Sequence, residues 1–187
     1  DVIKKSNKIK AKIITIGITN QRETTILWNK NTGKPVYNAI VWQDRRTYSI
    51  CQNLKKRKLE NLFRKKTGLF IDPYFSATKI KWILNNISST KKLLKNNQLM
   101  FGTIDTFLIW RLTNKNSHLT DATNASRTLM YNINSNKWDE EILKKIGIPR
   151  SILPEVKNSA DFFGITSKKI LGQEIPINAV LGDQQAA

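Results

Sequence analysis

Lys12-Ile13-Ile14-Thr15-Ile16-Gly17-Ile18, then Thr19, then Asn20-Gln21-Arg22-Glu23: on this stretch the fold is decided. A run with β-branched residues throughout and a glycine predicts a buried strand. A polar quartet follows it at once. In α/β folds ligands gather outside the carboxyl ends of strands, so the quartet is a candidate site by position as well as by chemistry.

Working outward, Thr24-Thr25-Ile26-Leu27-Trp28 predicts a second strand, and Asn31-Thr32-Gly33-Lys34-Pro35 a turn. Val36 to Trp42 predicts a third strand, which would close a hairpin with the second. Helical spacing of apolar residues predicts helices over Arg45 to Lys58 and Leu59 to Lys66, the latter stopped by Gly68. Ala77 to Asn85 predicts a helix whose apolar side carries Ile80, Trp82, Ile83 and Leu84. Thr103 to Leu112 reads the same way, and Trp138 to Ile146 is a short helix ended by Gly147 and Pro149. Ile175 to Leu181 predicts a last strand, running into Gly182-Asp183-Gln184-Gln185. The class is therefore α/β. Both ends read as unfinished: the first strand arrives without earlier sheet elements, and the last motif stops where a helix should begin. The expectation is a segment of a longer protein.

The 187 residues suffice for one domain with a hydrophobic core. A mean hydropathy of −0.42 and the absence of a long apolar run predict no membrane span, and the polar, basic start from Asp1 to Lys12 lacks the apolar stretch of a signal peptide. A cytoplasmic location is the simplest expectation. Cys51 is the only cysteine and His118 the only histidine, which excludes an internal disulfide and a cysteine-based zinc site. His118, in Asn116-Ser117-His118, reads as a surface loop residue. The net charge of +18 raises the possibility of a nucleic-acid surface. Yet the basic runs Lys4–Lys12, Lys55–Lys58, Arg64–Lys66 and Lys91-Lys92 are lysine-rich, and the aromatics sit apart from them. Nucleic-acid readers use arginine forks and stacked aromatics, so solvated lysine faces are the preferred account and no nucleic-acid partner is expected.

Four clusters carry candidate chemistry. Arg22 and Glu23 set a forked donor beside an acceptor, which suits hydroxyls that both donate and accept; an ordinary surface ion pair is the alternative. Trp42, in Val41-Trp42-Gln43-Asp44-Arg45-Arg46, sits at a strand end and either covers a ligand's carbon chain or packs in the core, while Asp44 is placed to cap the next helix. Tyr74, in Asp72-Pro73-Tyr74-Phe75-Ser76, either aims its hydroxyl at a ligand or packs. Gly182 would let the chain turn sharply off the last strand, leaving Asp183 as either a proton-accepting carboxylate or a helix cap.

Their order along the chain adds what no cluster gives alone. The stretch 13–47 with Asn20-Gln21-Arg22-Glu23-Thr24-Thr25 and Trp42-Gln43-Asp44-Arg45-Arg46-Thr47 is followed by Thr67-Gly68-Leu69, Asp72-Pro73-Tyr74-Phe75-Ser76 and Phe101-Gly102-Thr103-Ile104-Asp105-Thr106. Thr120-Asp121-Ala122-Thr123-Asn124-Ala125-Ser126-Arg127-Thr128 and Gly182-Asp183-Gln184-Gln185-Ala186-Ala187 complete the series. This resembles the FGGY-type carbohydrate kinases, and among them the members that phosphorylate glycerol rather than xylulose, ribulose or gluconate. The resemblance implies the N-terminal domain of that family over residues 1–187, with the ribonuclease H-like, actin-like ATPase fold, incomplete here. It implies ATP-dependent phosphorylation of glycerol to glycerol 3-phosphate, with Arg22, Glu23, Tyr74, Asp183 and Gln184 on the hydroxyls, Trp42 on the carbon side and Asp183 as general base. ATP and Mg²⁺ serve the complete protein, which is expected to be a homo-oligomer, and their sites fall mostly outside this chain. Thr123-Asn124-Ala125-Ser126 carries only a scaffold role. The alternatives are a basic nucleic-acid-binding module or a catalytically inactive remnant.

Two departures accompany the resemblance. The family's glycine-rich phosphate hairpin and its ATPase domain have no counterpart in this sequence, so the chain alone is expected not to turn over. The segment Thr166 to Glu174 lacks the Gly-rich loop ending in arginine with which some bacterial members bind a sugar bisphosphate.

Overall fold

The structure, a computed structural model, describes residues 2–187; Asp1, the first residue of the basic start, lies outside the described residues. Its strands are β1 (Ile16–Asn20), β2 (Ile26–Asn29), β3 (Leu99–Gly102), β4 (Leu119–Asp121), β5 (Tyr131–Asn132), β6 (Lys137–Trp138), β7 (Glu155–Lys157), β8 (Ala160–Ile165) and β9 (Pro176–Gly182). Its helices are α1 (Val2–Lys8), α2 (Tyr48–Lys56), α3 (Glu60–Thr67), α4 (Ser76–Asn86), α5 (Ser89–Lys95), α6 (Ile104–Leu112), α7 (Ala122–Ala125), α8 (Glu140–Ile146), α9 (Lys168–Leu171) and α10 (Asp183–Ala186). No helix among the described residues is long and apolar enough to cross a membrane.

The sheet that positions the site has the order β1-β9-β8. β1 and β9 run parallel in a register that sets Ile18 against Val180 and Asn20 against Gly182. Both strands therefore end at the same level, and the segments that follow them, Gln21 to Glu23 and Asp183-Gln184, leave the sheet side by side. Ile109 of α6 closes one face in a cluster with Ile18, Phe163, Ile177 and Val180. Pairing starts at Ile16, not at Lys12 as the apolar run suggests. The partner strand begins only at Pro176, so Lys12 to Thr15 have no place in the ladder, and Ile14 is exposed.

The expected hairpin forms only in part, because its second arm is not a regular strand. β2 pairs antiparallel with β3, Leu27 opposite Phe101. Around the turn the antiparallel pairing is limited to two isolated bridges, Thr25 to Ile40 and Trp28 to Pro35, with Val36 N donating to Leu27 O at 2.9 Å, and Val36 to Trp42 forms no strand. Pro35 brings no N–H to a ladder, and β3, far along the chain, satisfies the opposite edge of β2. Trp42 accordingly ends no strand.

Helices α2, α3, α4 and α8 pack with Leu27, Ile40 and Phe101 around the main core, to which they supply Leu54, Phe63, Ile80, Ile83 and Ile142. α3 stops as expected: Gly68 takes φ 73° and its N–H closes onto Arg64 O at 2.9 Å. α4 departs from its expected apolar side. Trp82 and Leu84 are only half-buried, whereas Ser76, Thr78 and Lys79 are fully buried with Ile80 and Ile83. α8 begins later than expected, capped by Asp139, whose side chain accepts from Ile142 N; Trp138 belongs instead to β6, opposite Tyr131. His118 is no free surface residue. Its Nε2 lies 2.8 Å from Phe101 O and its ring meets Trp28 edge-on, and burial pulls its pKa down to about 4.

Candidate functional site

At the carboxyl ends of β1 and β9 a cavity of 430 Å³ is lined by Gln21, Arg22, Glu23, Trp42, Tyr74, Asp183 and Gln184. All the candidate site residues expected from sequence stand around it, drawn from four separate segments.

Arg22 crosses the cavity wall beside β9. Its Nη2 donates to Gln184 Oε1 at 2.6 Å, and its Nε stands 3.8 Å from Asp183 Oδ1. That Nε is buried and has no hydrogen-bond partner among the described residues, a donor whose burial is costly unless something accepts from it. Gly182 has an ordinary extended backbone, φ −63° and ψ 152°, so it is not there to turn the chain. A Cβ at this position would sit inside the Cδ of Arg22. Close approach, not backbone freedom, requires the glycine, and this replaces the sequence-based reason for it. Asp183 opens α10 and is half-exposed at the rim, its side chain 53% accessible.

Glu23 is 2% exposed and holds φ 64°, a left-handed conformation uncommon for a residue other than glycine. Three donors converge on its carbonyl: Thr25 Oγ1 at 3.1 Å, Ser76 Oγ at 3.2 Å and Lys79 Nζ at 3.4 Å. Arg127 Nε donates to the carboxylate Oε1 at 2.7 Å. Arg22 and Glu23 thus do not pair with each other as a surface ion pair would; each faces the cavity with a different partner.

Trp42 and Tyr74 supply the apolar wall, their ring centroids 5.4 Å apart and tilted by 49°. The guanidinium of Arg127 lies over the Tyr74 ring at 5.4 Å. Asp72 shapes the turn that presents Tyr74 by accepting from its N–H at 2.8 Å, and Arg45 grips the same carboxylate. Asp44 does not cap α2. It accepts from the Arg46 backbone N–H and side chain, and that side-chain hydrogen bond holds its carboxyl below the usual range. The residue before α2 is Thr47, which makes no side-chain cap.

Behind the cavity lies a buried polar cluster. The amides of Asn20 and Asn124 bond reciprocally at 2.9 and 3.1 Å. Asp105 takes hydrogen bonds from Thr103 and Thr120, and burial raises its pKa to about 6. Thr123 Oγ1 donates to Asp121 and accepts from Gly182 N at 2.8 Å, so this cluster also holds the strand end that carries Asp183. Sequence reasoning missed Arg127 and Lys79. Arg127 stands inside a motif already singled out, and Lys79 is a lysine in a helix turn of buried residues, which a helical wheel would have flagged.

A cleft at paired strand ends, with convergent donors and acceptors and an aromatic wall, defines an α/β domain suited to hold a small, hydroxyl-bearing molecule. The FGGY family of carbohydrate kinases, N-terminal domain, matches residues 1–187, and the chain belongs to that family. It is 56% identical over 187 residues to the glycerol kinase of Petrotoga mobilis, covering 100% of this chain and 38% of that protein. It is 60% identical over 176 residues to the glycerol kinase of Halothermothrix orenii, covering 94% of this chain and 35% of that one. The crystal structure of Plasmodium falciparum glycerol kinase with ADP superposes with a TM-score of 0.92 at 40% identity, over 99% of this chain and 38% of that chain. The chain therefore spans little more than a third of the length of these relatives.

Proposed function

We propose that this chain is the glycerol-binding, base-bearing domain of an ATP:glycerol phosphotransferase. The observation that carries the proposal is the single cavity to which Arg22, Glu23, Trp42, Tyr74, Asp183 and Gln184 all contribute. Support comes from relatives at 56% and 60% identity that are named glycerol kinase. In this reading residues 1–187 form one domain, and the complete protein supplies the phosphate-binding hairpin and the ATPase domain.

The chemistry follows from the walls. Arg22 donates to one hydroxyl oxygen through its guanidinium, and Glu23 accepts from a neighbouring hydroxyl while Arg127 fixes its other oxygen. Tyr74 and Gln184 add polar contacts, and the rings of Trp42 and Tyr74 cover the carbon chain. Asp183 accepts the proton of the terminal hydroxyl as that oxygen attacks the γ-phosphorus of ATP. The new O–P bond forms as the bond from the γ-phosphorus to the bridging oxygen breaks, and ADP leaves with the electron pair. Mg²⁺ accompanies the nucleotide as part of the substrate. The half-exposed Asp183 is where a nucleotide held by a second domain would be met.

The test is ATP-dependent phosphorylation of glycerol by the complete protein, with xylulose and gluconate as competing acceptors. Glycerol is expected to be strongly preferred, and no turnover of glycerol would overturn the proposal. The isolated chain is expected to show no phosphoryl transfer, because the reaction needs nucleotide, metal and base held together.

A further inference from the structure

Lys79 is fully buried, yet it lies outside the cavity lining. Its Nζ donates to Tyr74 O at 2.5 Å and to Glu23 O at 3.4 Å, backbone carbonyls rather than a carboxylate. Those carbonyls belong to two segments that share no secondary structure: the loop after β1 and the turn before α4. Both carry a side chain of the cavity wall.

We propose that Lys79 is a positioning residue for the polyol site, a single ammonium that ties the Glu23 loop to the Tyr74 turn and so sets the spacing between the acceptor and the aromatic wall. The inference rests on the glycerol reading of the cavity and deepens it. Burying an ammonium without an ion-pair partner is expensive, and an apolar side chain of similar volume is usually at least as stabilising. A lysine at this place therefore needs a geometric reason, and the left-handed Glu23 provides one. Such a conformation persists only where its surroundings over-determine it. Here Lys79, Ser76 and Thr25 all donate to the carbonyl of that residue. Two of the three come from α4, which also follows directly from the Tyr74 turn. The burial that places Lys79 here also lowers its pKa to about 8, opposed by attraction to Glu23, Asp44 and Asp72.

A role in spacing predicts a specific kinetic signature. In the complete enzyme, Lys79→Met keeps the volume and removes the donors, and should raise the glycerol KM about tenfold with kcat within about threefold and the KM for ATP unchanged. Ser76→Ala removes one donor to the same carbonyl at little cost in packing, and should raise the glycerol KM about threefold. A purely structural lysine would lower the thermal midpoint and leave the glycerol KM alone. Folded Lys79→Met with a wild-type glycerol KM overturns the proposal; if that variant does not fold, Ser76→Ala with a wild-type KM overturns it instead. Wild-type enzyme that phosphorylates glycerol while both variants bind it normally would sink the Lys79 inference alone, whereas wild-type enzyme inert toward glycerol would sink the glycerol reading itself.

Discussion

Arg127 Nε donates to Glu23 Oε1 at 2.7 Å across 104 residues of chain. Glu23 is almost wholly buried while the Arg127 side chain keeps 28% of its accessible surface, so the pair serves to aim a carboxylate more than to stabilise the fold. Removing the arginine leaves that buried carboxylate without its charged donor. Arg127→Met should weaken glycerol binding about tenfold, measured by calorimetry on the complete protein. Unchanged affinity would mean that Glu23 is held by its backbone alone.

Gly182→Ala tests a steric statement. The backbone there accepts alanine without strain, but the added methyl collides with the stem of Arg22. Overpacking of this kind costs about 1–3 kcal/mol when the neighbour cannot move. Arg22 can move only by leaving Gln184 and the cavity wall. The expected result is a glycerol KM raised to the level of Arg22→Ala with little loss of thermal midpoint. A wild-type KM would show that Arg22 relaxes in place.

If Asp183 is the base as proposed, Asp183→Asn in the complete protein leaves glycerol bound and removes most of kcat, because it keeps the shape and a polar tip but cannot take up the proton. Single-turnover kinetics with glycerol and ATP measure it. A variant that retains near-normal kcat assigns the proton to another acceptor.

His118 gives a pH dependence whose sign is fixed. Its folded pKa, pulled by burial to about 4, lies below the ordinary value of 6.5. The unfolded chain therefore protonates first as pH falls. The stability contributed by the neutral imidazole is complete above about pH 6.5 and is lost as pH falls toward 4. Asp105, raised by burial, contributes with the opposite sign over a similar range, so wild type alone shows only the sum. His118→Gln shares Asp105 and isolates the histidine. Urea midpoints at pH 7.5 and 4.5 should fall more in wild type than in the variant, and parallel losses would contradict a buried neutral His118.

Much of the helical framework was legible because its signals are local. The periodicity of Leu59 to Lys66 and the Gly68 stop needed no partner to be read, and the helix observed is Glu60–Thr67. The strand β9 was legible for the same reason, a short apolar run bounded by turn residues. The hairpin was legible only in part, because its second arm, entered through Pro35, bridges the first at isolated points; the ladder partner of β2, β3, lies far down the chain, and short strands such as β4 and β7 exist only through each other. His118 was misread because a polar loop sequence conceals a ring packed on Trp28.

By itself the sequence offered Arg22, Glu23, Trp42, Tyr74 and Asp183 as candidates, each with a structural alternative beside it, and the order of its motifs carried the resemblance that joined them with Gln184 into one expected site. Only the tertiary structure decided how they are held. The β1/β9 register brings Asn20 level with Gly182, Arg127 and Lys79 arrive from elsewhere to fix Glu23, and Gly182 makes room for Arg22. These are contacts between segments remote in the chain, and a one-dimensional pattern carries no record of which remote groups come within hydrogen-bond reach.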